Sequence, residues 1–307
     1  MRVFLTGGGG MLGRNIKSVF FNEGLDVIAP TRDELDLGNF DEVRKYISYH
    51  RPNLVVHSAG LVGGIAQNLK QPYEFCFSNL QIGLNVIHAA FIEGVSDFIN
   101  IGSANVYPDG ESGYAMTEND ILTGKINSST EGYGLAKTCV LKLVSYLSQQ
   151  YGVNYRTLIP CNLYGVGDSF DIHKAHMIPA IIRRLHEAKV NLTATVEIWG
   201  DGSARREFLF AQDLAEFIFS ILGRLDSLPQ NLNVAPENDH SVLDYNQIVA
   251  KVVGYQGDFF FDESKPVGTK VKRLNTSLAR KYGWEEKTSI VEGISKTYQY
   301  FLESEAL

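Results

Sequence analysis

Short apolar runs alternate along the chain with longer stretches whose apolar residues recur every three or four positions. The runs predict buried parallel strands at 3–5, 25–29, 53–57, 98–101 and 154–160. The helical periodicity predicts helices that end near residue 24, span 41–49, 72–90 and 178–188, open at 131, and close the chain at 290–301, with a loop at 61–71. Strand and helix alternate without a repeat, which predicts an α/β fold, a Rossmann-like doubly wound parallel sheet.

The pattern changes after the fifth strand and predicts a second, smaller lobe. A polar loop at 168–176 follows, then a helix, a strand at 195–199 and a tight turn at 200–202. We expect a first domain at 1–166, to which the chain returns around 207–232, and a C-terminal α/β lobe formed by 167–206 and 233–307.

Composition narrows the class of protein. With 44% hydrophobic residues, 21% charged residues and a net charge of −7, the chain resembles an ordinary soluble protein and lacks a general nucleic-acid or anionic-membrane surface. Cys76, Cys139 and Cys161 lack metal-ligand spacing, which favours reduced thiols and no metal. The first strand leaves no room for a signal peptide and no apolar run reaches membrane-spanning length, so we expect a cytoplasmic protein.

A glycine-rich segment, TGGGGMLG at 6–13, joins the first strand to the first helix. Gly7 permits a tight turn, Gly10 lets the backbone approach a pyrophosphate, and Gly13 lets the helix pack closely on the strand. The helix N-terminus adds free N–H groups and a positive dipole end. The glycine spacing alone fits a flexible turn equally well, but its place between strand and helix favours a dinucleotide site.

The end of the second strand indicates which dinucleotide binds. An acidic residue there would bind the ribose 2′-hydroxyl, but the chain has Ala29-Pro30-Thr31-Arg32. Arg32 can pair with a 2′-phosphate through its planar guanidinium, although a solvated arginine is the plainer alternative. Asp36 and Leu37 follow where the adenine edge is expected. NADPH is therefore the predicted cofactor.

Three residues suit carbonyl–alcohol chemistry. Ser103 follows the fourth strand, and Tyr133 and Lys137 lie four apart on one helical face. A free tyrosine has a pKa of about 10, and we expect the lysine ammonium beside an oxidised nicotinamide to lower it. The Tyr-x-x-x-Lys spacing alone is more often structural, but together with the glycine turn it predicts a proton relay. We interpret His57 as a strand-end residue rather than a ligand.

The second lobe carries cations inside an acidic protein: Arg184, Arg206, Lys270 and Lys272. Scattered lysines usually form a solvated face, whereas arginines beside Trp199 better fit a phosphate and a stacked base.

These residues together resemble the extended short-chain dehydrogenase/reductases and, much more closely, the GDP-L-fucose synthase family. The resemblance runs over nearly the whole chain. It rests on TGGGGMLG at 6–13, TRDEL at 31–35, VGGI at 62–65, YGLAK at 133–137, NLYG at 162–165, IPA at 178–180, RR at 183–184, REFL at 206–209, SKP at 264–266 and KYGW at 281–284.

The resemblance implies an enzyme that epimerises a GDP-linked 4-keto-6-deoxy sugar at C3 and C5 and reduces C4 with NADPH. It implies Ser103, Tyr133 and Lys137 as the reductive triad, and a homodimer joined by the helices at 72–92 and 131–150. Cofactor contacts are implied for Gly7, Gly10, Met11, Leu12, Gly13, Arg32, Asp36, Leu37, Ser103, Lys137, Pro160, Asn162, Leu163 and His176. Contacts to GDP and sugar are implied for Asn105, Asn162, His176, Arg184, Trp199, Arg206 and Lys272.

Three departures from the family pattern matter. The family's epimerisation pair is a cysteine two residues after the serine and a downstream histidine; His176 matches, but the cysteine position is Asn105. A basic residue in the family's glycine turn is Gly9 here, which weakens the NADPH preference. The acidic residue that usually follows Lys265-Pro266 is Val267 here, which indicates a different sugar.

The sequence favours a C4 reductase of a GDP-4-keto-6-deoxy hexose or heptose, serving activated-sugar biosynthesis for surface glycans without epimerase activity. The alternative is a bifunctional 3,5-epimerase/4-reductase in which another residue replaces the cysteine. A 4,6-dehydratase would need an acid/base pair beside Ser103, which Ala104-Asn105 does not supply. A non-catalytic nucleotide sensor would be expected to lose the tyrosine–lysine pair, which is intact.

Overall fold

The computed structural model describes residues 1–109, 114–171, 175–265 and 270–305. In chain order its strands are β1 (Arg2–Thr6), β2 (Asp26–Ile28), β3 (Leu54–His57), β4 (Asp97–Ile101), β5 (Asn154–Pro160), β6 (Asn162–Tyr164), β7 (Thr195–Trp199), β8 (Arg205–Arg206), β9 (Phe208–Phe210), β10 (Asn231–Val234), β11 (His240–Ser241) and β12 (Asp258–Asp262). The α-helices are α1 (Met11–Asn22), α2 (Phe40–His50), α3 (Ile65–Lys70), α4 (Pro72–Ile92), α5 (Glu131–Tyr151), α6 (Met177–Val190), α7 (Ala211–Ser220), α8 (Val242–Val253), α9 (Ser277–Lys281) and α10 (Ile290–Glu305).

Six strands form one parallel sheet in the order β10-β5-β4-β3-β1-β2. Because β2 and β3 flank β1 on opposite sides, the strand order reverses at the carboxyl end of β1, where ligands of open parallel sheets bind. The other strands form the parallel pairs β6–β9 and β7–β12 and the antiparallel pair β8–β11. The predicted doubly wound parallel sheet is confirmed.

Side chains along the sheet alternate between two apolar layers. Val3 and Leu5 of β1 pack in one layer with residues of α1 and α7, whereas Phe4 between them packs in the other with residues of α2 and α4. This period of two explains why the strands are apolar throughout, since both faces are covered. A third apolar cluster, which includes Ile182 and Phe301, lies between α6, α8, α10 and β9.

The chain returns to the sheet after residue 207, where β10 pairs with β5. Asn233 of β10 joins three distant segments: its amide donates to the carbonyls of Met116 at 2.9 Å and Asn275 at 3.2 Å, and its oxygen accepts from the Tyr107 hydroxyl at 2.6 Å. The proposed boundaries of the two lobes stay a prediction.

The structure differs from the sequence pattern in its shortest elements. The expected loop at 61–71 contains α3, whose six residues are too few to show helical periodicity. The side-chain NH₂ of its buried Asn68 donates to the carbonyls of Gly63 and Gly64 at 3.0 and 3.1 Å, whereas the amide oxygen has no partner among the described residues. The strands β6, β8, β9 and β11 have two or three residues each, and the sequence pattern did not predict them.

One helix corrects an expectation about membranes. By length and composition α4 is long and apolar enough to cross a membrane, whereas the sequence was expected to hold no such run. In the fold, Phe75, Val86 and Ile87 of α4 are buried, and α4 packs against α5 and α2. We therefore interpret α4 as a helix of the protein core.

Three segments approach each other closely at the glycine turn. Gly7 adopts the left-handed region with φ of 72°, and a Cβ there would lie 2.8 Å from Cα of Ala59, just beyond β3. A Cβ on Gly13 of α1 would overlap the Gly7 carbonyl, whereas a Cβ on Gly9 would meet nothing within 4 Å. Gly7 and Gly13 therefore stand at positions where a side chain would push β1, β3 and α1 apart.

Replacing Gly13 should show this packing constraint. We expect Gly13→Ala to lower the free energy of unfolding by about 1–3 kcal/mol, because the methyl group overlaps a backbone carbonyl that cannot rotate away. Gly9→Ala is the matched control, and it should change stability by less than about 0.5 kcal/mol. Urea titrations of both variants give the two values, and equal values would contradict the close approach.

Candidate active site

Ser103, Tyr133 and Lys137 meet beyond the carboxyl end of β4. Ser103 precedes a short 3-10 helix (Ala104–Val106), and its hydroxyl accepts from the Asn105 backbone N–H at 3.2 Å. Tyr133 and Lys137 stand one turn apart on α5, with the Lys137 ammonium 5.9 Å from the Tyr133 ring centre. Ser103 lies close enough to Tyr133 to lower the pKa of its phenol. The structure thus brings the three predicted residues together.

Burial decides the protonation of this trio. It raises the pKa of Tyr133 to about 12, against the lowering effect of Ser103. It lowers the pKa of Lys137 to about 8, and the buried ammonium donates to the Ile101 carbonyl at 3.0 Å. Desolvation outweighs the effect of Ser103 on the tyrosine pKa, and the lowering expected from lysine beside an oxidised nicotinamide stays a prediction. At neutral pH the site holds a protonated phenol beside an ammonium.

The end of β3 places a neutral imidazole near Lys137. The Thr6 hydroxyl accepts from the Ala59 N–H at 3.2 Å and also forms a hydrogen bond with Nδ1 of the buried His57, 2.8 Å away. Burial of His57 and the nearby Lys137 charge lower its pKa to about 3, and it carries no charge at neutral pH.

The predicted cofactor residues lie in the glycine turn and just after β2 and β5. Met11 and Leu12 open α1, whose N-terminus has no side-chain cap, so its first N–H groups remain available to an anion. Arg32 and Asp36 are exposed beyond β2, and Asp36 accepts from the Gly38 N–H at 2.8 Å. Of the remaining residues, Leu37 is half-buried and Pro160 is buried at the end of β5. Asn162 and Leu163 open β6.

Asn105, Arg206 and Lys272 form a polar group beside Ser103. The Lys272 ammonium donates to Oδ1 of Asn105 at 2.9 Å. Burial lowers the pKa of Lys272 to about 8, with Arg206 adding to the effect and Asp109 opposing it. Asn162 donates to the Glu207 carbonyl at 3.0 Å and so connects β6 to this region. The structure therefore connects four of the residues expected to bind substrate.

A second group of predicted residues lies around α6 and β7. The Arg184 guanidinium donates to Asn246 at 3.0 Å, but its buried Nε has no hydrogen-bond partner among the described residues. Trp199 is 57% exposed, with the Lys265 ammonium 5.9 Å from its ring centre. His176 immediately precedes α6, and burial lowers its pKa. Val267 lies outside the described residues.

The sequence did not indicate two further residues that face the site. Glu207 and Cys161 line a pocket together with Ser103, Asn105 and Lys272. Burial raises the pKa of Glu207 to about 8, and the buried thiol of Cys161 also has a raised pKa. Glu207 follows Arg206 in the chain, and that adjacency was the one available signal.

The model of the NAD dependent epimerase/dehydratase family matches residues 3–235. GDP-L-colitose synthase from Yersinia pseudotuberculosis is 43% identical over 98% of both chains. GDP-L-fucose synthase from Azorhizobium caulinodans is 42% identical over 98% of this chain and 96% of its own.

Solved structures agree with these relatives. A GDP-mannoheptose C4 reductase from Campylobacter jejuni, with NADP bound, superimposes with a TM-score of 0.89 at 28% identity over 98% of both chains. Together with the family match, these similarities extend over nearly the whole fold, including the glycine turn and the residues around Tyr133. The chain belongs to the NAD-dependent epimerase/dehydratase family and, within it, to the group of the GDP-L-fucose synthases.

Proposed function

We propose that this protein is an NADPH-dependent reductase of the C4 ketone of a GDP-linked 4-keto-6-deoxy sugar, a hexose or a heptose. The observation that carries the proposal is the meeting of Ser103, Tyr133 and the buried Lys137 ammonium where α5 packs against the segment after β4. The names of the relatives, GDP-L-colitose synthase, GDP-L-fucose synthase and a GDP-mannoheptose C4 reductase with NADP bound, support the substrate class and the cofactor.

The residues around the glycine turn fit a dinucleotide. Backbone occupies the space where a Cβ of Gly7 or Gly13 would stand, and α1 directs uncapped N–H groups toward the turn. Arg32 would pair with the 2′-phosphate and Asp36 and Leu37 would border the adenine. Pro160, Asn162, Leu163 and His176 would border the nicotinamide end.

The trio performs the proton transfer of the reduction. The bound cofactor supplies the hydride that reaches C4. Tyr133, protonated because its pKa is about 12, donates its phenolic proton to the C4 oxygen while the Ser103 hydroxyl holds that oxygen. The Lys137 ammonium, 5.9 Å from the ring centre, stabilises the phenolate that remains.

The cations of the second lobe would bind the nucleotide sugar. Arg184 has a buried Nε without a partner among the described residues, and a diphosphate oxygen would satisfy it. Exposed Trp199 offers a face on which a base can stack. Arg206, Lys272 and Asn105 then lie on the side of Ser103, where we place the sugar.

Replacing Tyr133 tests the proton transfer. We expect Tyr133→Phe to fold and bind NADPH but to lower kcat by about 10²–10⁴-fold, because a positioned general acid is lost. Tyr151→Phe, at an exposed position of α5, is the matched control and should keep normal turnover. Oxidation of NADPH followed at saturating GDP-4-keto sugar gives the rates, and near-normal turnover of Tyr133→Phe would refute the assignment.

Replacing Arg32 tests the cofactor. We expect kcat/KM to be modestly higher with NADPH than with NADH, since Arg32 is one cation and Gly9 supplies none. Arg32→Ala should remove the difference by raising KM for NADPH alone. Lys45→Ala on exposed α2 is the control. Equal kcat/KM for both cofactors in the unaltered protein would contradict the role of Arg32.

Asn105 leads us to propose that the enzyme does not epimerise its substrate. Inversion beside a ketone needs one group that removes a proton and another that returns it from the opposite face. The Asn105 amide does not titrate near pH 7, and its oxygen is held by the Lys272 ammonium. His176, whose pKa is lowered by burial, is then left without a partner for inversion.

Solvent exchange decides between the reductase and the bifunctional alternative. With NADPH in deuterium oxide, the product should carry no deuterium at C3 or C5 beyond that in a control lacking enzyme. NMR of the purified product measures both positions. Substantial enzyme-dependent deuterium at either carbon would establish a bifunctional 3,5-epimerase/4-reductase.

We also propose a cytoplasmic homodimer. Tyr73, Phe77 and Leu84 of α4 and Leu135 and Tyr146 of α5 expose large apolar side chains on two helices that pack together, which supports pairing of these helices between two copies. Three free cysteines support a reducing compartment. Sedimentation equilibrium and cell fractionation measure the two properties, and a monomer or a secreted protein would contradict them.

A further inference from the structure

A small polar pocket opens beside Ser103, where we place the reacting C4 ketone. Its cavity measures about 40 Å³, and its lining includes Asn105, Cys161, Glu207 and Lys272. About 10–15 Å³ of such volume is enough for one water molecule, so the cavity admits a small polar group. No step of the proposed reduction uses Glu207 or Cys161.

The orientation of the Asn105 amide is fixed by its neighbour. The Lys272 ammonium can only donate, so the atom it contacts at 2.9 Å must be the amide oxygen. The amide NH₂ is then the group left for a ligand. Lys272 has two further N–H donors, because one of its three is used by Asn105.

Glu207 adds a further donor to this wall. One carboxyl oxygen accepts from the Leu274 N–H at 3.0 Å. Because burial raises its pKa to about 8, the carboxyl is protonated at neutral pH and presents an O–H. The pocket is therefore lined mainly by donors, and it suits an oxygen that accepts several hydrogen bonds at once. A methyl or methylene group there would leave buried donors unpaired.

We propose that this pocket binds a hydroxyl group of the sugar, carried on C3 or on the substituent at C5, the two ring carbons that flank the ketone. The inference rests on the proposed function, since the position of C4 at Ser103 places a neighbouring substituent at the pocket. The substrate is then a sugar that retains this hydroxyl, and the analogue lacking it is discriminated against.

Matched substrates test the pocket. Pairs of GDP-4-keto sugars are compared that differ only in the C3 hydroxyl or only in a hydroxyl on the C5 substituent. One of the two hydroxyls should raise kcat/KM about 10- to 100-fold, the effect of leaving a buried donor unpaired in its absence. Ratios within twofold for both pairs would overturn the proposal and indicate a pocket that holds water alone.

Filling the cavity should abolish this discrimination. Cys161→Leu places a larger apolar side chain in the pocket, so the kcat/KM ratio of the favoured substrate pair should fall to within about threefold of one. Cys161→Ala should keep the discrimination. Asn105→Leu removes the amide donors at similar volume and should act like Cys161→Leu. Thermal unfolding checks that the variants fold, and unchanged ratios in both folded leucine variants would refute the pocket.

A binding measurement separates failure of the pocket from failure of the proposed function. If no GDP-4-keto sugar oxidises NADPH, the proposed reductase is wrong. Calorimetric titration with the corresponding GDP-sugars that carry a C4 hydroxyl in place of the ketone still compares hydroxylated and deoxy ligands. A Kd ratio of about tenfold or more supports the pocket in that case, and equal Kd values overturn it.

Discussion

The burial of the Lys137 ammonium is the constraint on which the site depends. A charge removed from water is costly unless a polar partner replaces the lost hydration, and Lys137 finds that partner in the Ile101 carbonyl. The carbonyl belongs to the last residue of β4, and Ser103 follows two residues later. The contact therefore connects α5 to the segment that carries the serine.

The site also keeps a neutral imidazole near Lys137. His57 would compete with Lys137 if protonated, and its burial together with the Lys137 charge keeps it neutral. The Arg184 guanidinium stands on α6 and the Arg206 guanidinium on β8, outside the helix that carries Tyr133 and Lys137.

The sequence predicted most of the sheet because its strands are apolar on both faces, as Val3, Phe4 and Leu5 show. It predicted the trio because Tyr133 and Lys137 are neighbours on one helix. It could not predict α3 or β8, since a six-residue helix and a two-residue strand are too short to show a repeating pattern of apolar residues. Nor could it predict the contact of Asn105 with Lys272, because 167 positions separate them and only the tertiary fold brings them together.

The three hydrogen bonds of Asn233 have a consequence for synthesis on the ribosome. They connect Tyr107, Met116 and Asn275, so this junction can close only after most of the polypeptide has emerged. Such long loops make closure slow relative to the local pairing of β1 with β2. A nascent chain will therefore form the first strands early, while the edges of the later strands stay unpaired. Chaperones are most needed during this interval.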